Sequence, residues 1–184
     1  IVLRGGSKDV LNEVERNLQD AMQVVRNVVY NPKLLPGGGA TEMALAVSLR
    51  KAGQALQGIQ QGPFIAVGDA LEVIPRTLAQ NCGVSVIRTI TELRAKHAAA
   101  AAASETCHVG INGITGDLVD MNELGIWEPF AVKIQTIKTA IENACMILYV
   151  FHDVNSFTWI VGSHMYLFFC SRIDDIVSGS KRGG

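Results

Sequence analysis

Apolar side chains return every three or four residues in long runs, and prolines and glycines cut those runs apart. Val10, Leu11, Val14, Leu18, Ala21, Met22, Val25, Val28 and Val29 make the first run. A three-to-four step puts these positions on one face of an α-helix. Ser7 stands where it can cap that helix. Asn31-Pro32 stops it, because proline disfavours the α conformation in the residue before it. A second helix follows the turn Leu35-Pro36-Gly37-Gly38-Gly39, carrying Met43, Ala44, Ala46, Val47 and Leu49. A third opens near Gly62-Pro63 and carries Phe64, Val67, Ala70, Leu71 and Ile74; Pro75 should kink it, and Asn81-Cys82-Gly83 should end it. A fourth carries Val86, Ile87, Ile90 and Leu93 into six alanines, residues 98–103, which read as a helix extension or a surface loop. The period then changes. Val109, Gly110 and Ile111, then Asn112-Gly113, then Leu118 and Val119 predict a short hairpin with an Asn-Gly turn. Glu128-Pro129 opens a fifth long helix through Ile134, Ile137, Ile141 and Leu148. Ile1 to Gly6 reads as a strand cut at its start, so a fragment is expected, and residues 172–179 read as a terminal strand and turn. The fold class is mainly α: a multihelical bundle with a small β-hairpin and terminal strands.

Composition narrows the function classes. With 16 Lys+Arg against 17 Asp+Glu in 184 residues, the chain lacks the basic excess of a nucleic-acid module. At 48% hydrophobic residues it is too apolar for a disordered chain. Cys82, Cys107, Cys145 and Cys170 are far apart with no CxxC, which supports neither a disulfide framework nor a zinc site and makes a reducing compartment the default. No signal peptide is legible. The apolar stretch 144–170 is broken by His152, Asp153, Asn155 and His164, so a spanning helix is disfavoured. Residues 149–171 still stand apart. They hold seven of the chain's eleven aromatics and no Lys or Arg. They read as an irregular hydrophobic insertion, as a membrane- or partner-contact segment, or as a retained intron or gene-assignment error, since Tyr149-Val150 and Phe168-Phe169-Cys170-Ser171 have codons compatible with splice signals.

Several residues are candidates for chemistry. Gly37-Gly38-Gly39 precedes a helix, where backbone N–H groups attract phosphate and glycine permits close approach. A simple turn explains the triplet equally well, and no Walker A lysine follows. Asp20 lies beside the apolar face of the first helix, where a carboxylate can orient water or hold a metal ion; the plain alternative is a flank charge paired with Arg16 at i, i+4. Glu128 lies just before or in the first turn of the fifth helix, where negative charge is favoured and ribose hydroxyls can be accepted, or where it simply caps. Lys133 accompanies it. Asn112-Gly113 offers a backbone contact to a base, or only a turn. His97 and His108 lack partners at ligand spacing and are expected at the surface.

Six motifs join these pieces in order: Glu15-Arg16-Asn17-Leu18-Gln19-Asp20-Ala21, Pro36-Gly37-Gly38-Gly39-Ala40-Thr41-Glu42, Ile74-Pro75-Arg76-Thr77-Leu78-Ala79-Gln80-Asn81-Cys82-Gly83, Asn112-Gly113-Ile114-Thr115-Gly116, Trp127-Glu128-Pro129 and Arg172-Ile173-Asp174-Asp175-Ile176. Together they resemble the C-terminal part of a group II chaperonin, the family of the eukaryotic cytosolic complex TRiC/CCT, over residues 1–148 and 172–184. The resemblance implies an ATP-hydrolysing subunit of a hetero-oligomeric double ring in the cytoplasm, assisting clients such as actin and tubulin, with no nucleic-acid or membrane partner. It implies that residues 1–35 are the returning part of the intermediate domain and residues 36–184 the C-terminal half of the equatorial ATP-binding domain. On it, Asp20 matches the catalytic aspartate that positions the attacking water. Gly38, flanked by Gly37 and Gly39, matches a glycine packed against nucleotide. Gly113, Ile114, Glu128 and Lys133 match positions lining the adenosine part of an ATP/ADP site.

The departures carry expectations too. The family's phosphate loop, its Mg2+-binding Gly-Asp-Gly motif and its client-binding apical domain would all lie in sequence not present here, so this chain has no metal ligands of its own and should neither hydrolyse ATP nor fold clients alone. Ile114 stands where close relatives carry Glu. The alanine tract lengthens a loop, and residues 149–171 interrupt the junction between the last helix and the strand at Arg172. The alternative function is that of a non-catalytic, truncated or mis-spliced helical piece that at most binds partners.

Overall fold

A computed structural model describes residues 1–151; the expectations for 152–184, most of the aromatic insertion and the terminal strand among them, fall outside the described residues. The chain runs through α1 (Lys8–Tyr30), β1 (Leu34–Pro36), α2 (Ala40–Ala55), α3 (Gln61–Leu71), α4 (Val73–Asn81), α5 (Val86–Ala102), β2 (Val109–Ile111), β3 (Leu118–Asp120), α6 (Met121–Leu124), β4 (Trp127–Pro129) and α7 (Phe130–Phe151). The predominantly helical fold agrees with the apolar periodicity.

The second helix, α2, is the axis of the core. Leu45 and Leu49 on one side pack with Leu35, Phe64, Phe130 and Ile137. Met43 on the other side packs with Ala79, Ile90, Leu93 and Ile111. A helix apolar on more than one face is stable only when surrounded, and here α3 and α7 close one side while α4, α5 and the β2–β3 hairpin close the other. Two antiparallel pairs pin the loops. In β1–β4, Leu35 faces Glu128; in β2–β3, Gly110 faces Val119. Helix α1 differs. Ser7 caps it by accepting the Val10 N–H at 3.3 Å, Asn31 ends it, and it contributes no buried residue.

Four expectations need correction. Ile1 to Gly6 forms no strand, because among the described residues both strand pairs are complete without it. The interruption expected from Pro75 stands one turn upstream, at Glu72 between α3 and α4, just after Leu71, whose carbonyl Pro75 has no N–H to meet. The hairpin turn is longer than Asn-Gly. Residues 112–117 connect the strands, closed by Asn112 N–H to the Asp117 carbonyl at 2.9 Å and by Gly116 N–H to the Asn112 carbonyl at 2.8 Å. The alanines extend α5 through Ala102 instead of lengthening a loop. His97 is 2% exposed, not at the surface; its Nε2 lies 2.8 Å from the Val109 carbonyl, tying α5 to β2. His108 is half-buried.

Candidate functional site

The triple-glycine bend sits where β1, α2, the β2–β3 hairpin and β4 meet. Gly38 and Gly39 have φ of 62° and 77°, a region that L side chains avoid, so the bend turns through two left-handed residues into the first turn of α2. Its packing is equally restrictive. A β-carbon on Gly38 would stand 2.5 Å from Met121 Sδ and 3.0 Å from the Ile111 carbonyl oxygen, and one on Gly39 would stand 2.8 Å from Pro75 Cβ. On Gly37 it would meet Ile126 Cγ2 at 2.8 Å. The space that the glycines leave is thus filled by the protein's own atoms. Gly37 N–H donates to the Ile126 carbonyl at 3.1 Å and Ile111 N–H donates to the Gly38 carbonyl at 2.9 Å. Thr41 Oγ1 donates to the Pro36 carbonyl at 2.7 Å from a buried position.

Two acidic residues and one lysine lie against this bend. Glu128 is brought there by the β1–β4 pairing, in a strand just ahead of α7 and not as a helix cap. Lys133, one turn into α7, forms ion pairs with Glu42 Oε1 at 2.5 Å and with Glu128 Oε2. The Glu42 side chain is 2% exposed, against 17% for Lys133 and 37% for Glu128. Burial pushes the Lys133 ammonium toward the neutral form, but the Glu42 charge and the hydrogen bonds to Glu128 and Glu42 outweigh it and hold its pKa above the ordinary lysine value. A lysine clamped by two carboxylates has little charge to offer a phosphate. Its evident work is to fix Glu128, whose second oxygen remains an acceptor suited to a hydroxyl.

The hairpin connection forms the other flank. Gly113 and Ile114 are exposed, Ile114 at 90%. The Ile114 N–H is spent on Asn112 Oδ1 at 2.9 Å, so the side chain of Asn112 folds the turn. The Cys82 thiol donates to the Gly113 carbonyl at 3.3 Å and anchors the turn to the end of α4. Gly37, Gly38, Gly39, Glu128 and Lys133 are therefore gathered, with Gly113 and Ile114 linked to them through β2. Asp20 is exposed on α1, a helix that approaches the rest of the chain at β4. Arg16 bonds Glu13 at 2.8 Å rather than Asp20.

Glu42 and Cys82 are contributors that the sequence alone did not single out. Glu42 had a signal, an acid three residues after the Gly39 N-cap, where carboxylates favour a helix start. Among the described residues no group of three or more His, Cys, Asp or Glu could hold a metal ion, and no helix is long and apolar enough to cross a membrane. An open groove of about 650 Å³, lined by Asn27 of α1 and by Val132, Gln135 and Thr136 of α7 among others, contains none of the candidate residues.

Comparison with known proteins bears on this arrangement. The TCP-1/cpn60 chaperonin family matches residues 1–152. T-complex protein 1 subunit gamma of Thalassiosira weissflogii is 67% identical over 192 residues, covering 100% of this chain and 30% of that protein. The protein of the same name from Homo sapiens is 55% identical over 185 residues, covering 100% of this chain and 29% of that protein. Among solved structures, the open-state monomer of a group II chaperonin from Methanococcoides burtonii aligns with a TM-score of 0.64 at 36% identity, over 80% of this chain and 35% of that one. The chain thus spans about three-tenths of the length of the curated relatives it matches.

Proposed function

The chain belongs to the TCP-1/cpn60 chaperonin family, and from that premise we propose that it supplies one side of the ATP site of a cytosolic chaperonin subunit working in a hetero-oligomeric double ring. The observation that carries this reading is the meeting of the triple-glycine bend with the Glu128–Lys133 pair and the β2–β3 hairpin. The polar groups suit a nucleotide: a carboxylate to accept from ribose hydroxyls and an exposed turn for the base. On this reading Gly38 packs beside the nucleotide with Gly37 and Gly39 shaping the bend. Gly113, Ile114 and Glu128 line the adenosine, and Lys133 holds Glu128 in place. Mg2+, when bound, neutralises phosphate charge, and its ligands belong to the part of the subunit outside this chain.

Asp20 is the catalytic residue of this proposal, accepting a hydrogen bond from the attacking water. Residues 1–35 form part of an intermediate domain and residues 36–184 part of the equatorial domain. Helix α1 buries nothing in the core, which suits a segment that belongs to another domain, and Asp20 is exposed on it. Turnover then requires the α1 segment to swing onto nucleotide, which couples hydrolysis to ring closure as a lid couples chemistry to closure elsewhere. Closure in turn acts on unfolded clients, actin and tubulin among them, held by the rest of the subunit.

In the full-length subunit within its ring, Asp20→Ala should keep nucleotide binding and lower turnover by about 100-fold or more, the scale of a lost positioning base. Single-turnover hydrolysis and equilibrium binding measure the two separately. Turnover at the normal rate in the variant would reject the assignment.

A further inference from the structure

We propose that Glu42 is a positioning residue for nucleotide binding, acting through Lys133 to fix the carboxylate of Glu128. The inference rests on the reading of Glu128 as the ribose acceptor and extends it to a residue that touches no ligand. Glu42 lies in the first turn of α2, three residues after the Gly39 N-cap, and is 1% exposed. Its Oε1 accepts from Lys133 Nζ at 2.5 Å. Lys133 reaches across to Glu128 Oε2 from the same ammonium group. A buried carboxylate is stable only when paired and hydrogen-bonded, so the Glu42–Lys133 bond is fixed from the core side. That leaves the lysine a single direction in which to present its remaining N–H groups.

The consequence falls on Glu128, whose side chain is 37% exposed. An exposed glutamate samples several rotamers, and ordering it on binding costs affinity. With Oε2 held by a lysine that is itself held from below, the other oxygen is already set for a hydroxyl before ligand arrives. Without the Glu42 charge, Lys133 has one carboxylate instead of two and can engage both Glu128 oxygens, taking the acceptor away from the ligand. The three side chains come from α2, β4 and α7, so the relay also joins the bend to the element carrying Glu128.

The test uses the full-length subunit in its assembled ring and compares dissociation constants for ATP and 2′,3′-dideoxy-ATP. Glu42→Gln should weaken ATP by about tenfold, the scale of one charge-assisted hydrogen bond, and the dideoxy nucleotide by less than about twofold, so that ribose discrimination disappears. Glu42→Asp, which keeps the charge but withdraws it by one methylene, should lose at least about a third of that discrimination on a logarithmic scale, and it decides the matter if Glu42→Gln does not assemble. Equal weakening of both nucleotides marks a merely structural counter-ion and overturns the proposal, as does full discrimination in either variant. Glu128→Gln is the control. If it removes discrimination while the Glu42 variants keep it, this inference alone fails. If Glu128→Gln itself keeps discrimination, the ribose assignment fails and the relay falls with it.

Discussion

His97 is held neutral by its surroundings. Its Nε2 meets the Val109 carbonyl at 2.8 Å, while its Nδ1 is buried without a partner. Burial lowers its pKa below the ordinary 6.5, the Val109 hydrogen bond opposes this, and the nearby His108 adds a further lowering. The unfolded chain therefore binds the proton more readily than the folded one. The stability tied to the neutral ring is intact above about pH 6.5 and drains away as pH falls through the folded value. Melting temperatures measured from about pH 8 to pH 5 should drop for the wild type, and the drop should shrink in His97→Gln, which keeps a donor for Val109 but cannot take up the proton. Two glycines give a second contrast. Gly38→Ala forces a β-carbon against Met121 and Ile111 at a φ of 62°, and should cost roughly 1–3 kcal/mol in denaturant unfolding. Gly113→Ala meets nothing within 4 Å and should stay within about 0.5 kcal/mol of wild type.

Between elements, Glu72 does what no backbone pairing does. It lies at the break between α3 and α4, with its side chain 1% exposed, and binds Arg50 of α2 and Arg94 of α5, the latter at 2.6 Å. Burial raises its pKa, but the hydrogen bonds from Arg94 and Arg50 prevail and hold it below the usual carboxylate value. Glu72→Ala should destabilise by roughly 2–3 kcal/mol in chemical unfolding, less than a fully stranded buried charge because both arginines keep a water-facing side. None of this was legible in the sequence. The contacts span 22 residues in each direction, and a lone Glu in Ala70-Leu71-Glu72-Val73 carries no periodic signal. Local signals read well: the stop at Asn31-Pro32 and the helix after Gly39 fall where proline and glycine placed them. Pro75 was legible as an interruption, but the break falls one turn upstream at Glu72, because the carbonyl left without its N–H is that of Leu71. His97 misled because the lack of a partner at ligand spacing says nothing of burial: its partner is a backbone carbonyl, that of Val109. The glycine bend, Glu128 and Lys133 are legible from their places near helix starts, but their meeting depends on strand pairing between residues 34–36 and 127–129. Glu42 was visible only as a helix-start acid.

For the whole molecule, the chain covers about three-tenths of its curated relatives, and the site proposed above supplies one side of the ATP site proposed for the full-length subunit. The 184-residue chain should pass through ATP-agarose while the full-length subunit is retained. Retention of the chain alone would mean that the bend and Glu128 suffice for binding. Residues 149–171 belong to a different question. The family match ends at residue 152, and transcript sequencing decides whether the codons for 149–171 are kept in mature message. Helix α1 bears on the mechanics. Its 23 residues carry Val25 and Val29 exposed at 62% and 75%. At 1.5 Å per residue it is a rod of about 34 Å. If such a rod turns about its C-terminal end, a turn of about 30° carries Ser7 through about 19 Å and Asp20, which lies halfway along, through about 9 Å. On the proposed reading, the place of Asp20 halfway along this arm sets how far a given swing carries its carboxylate, about half the travel of the tip.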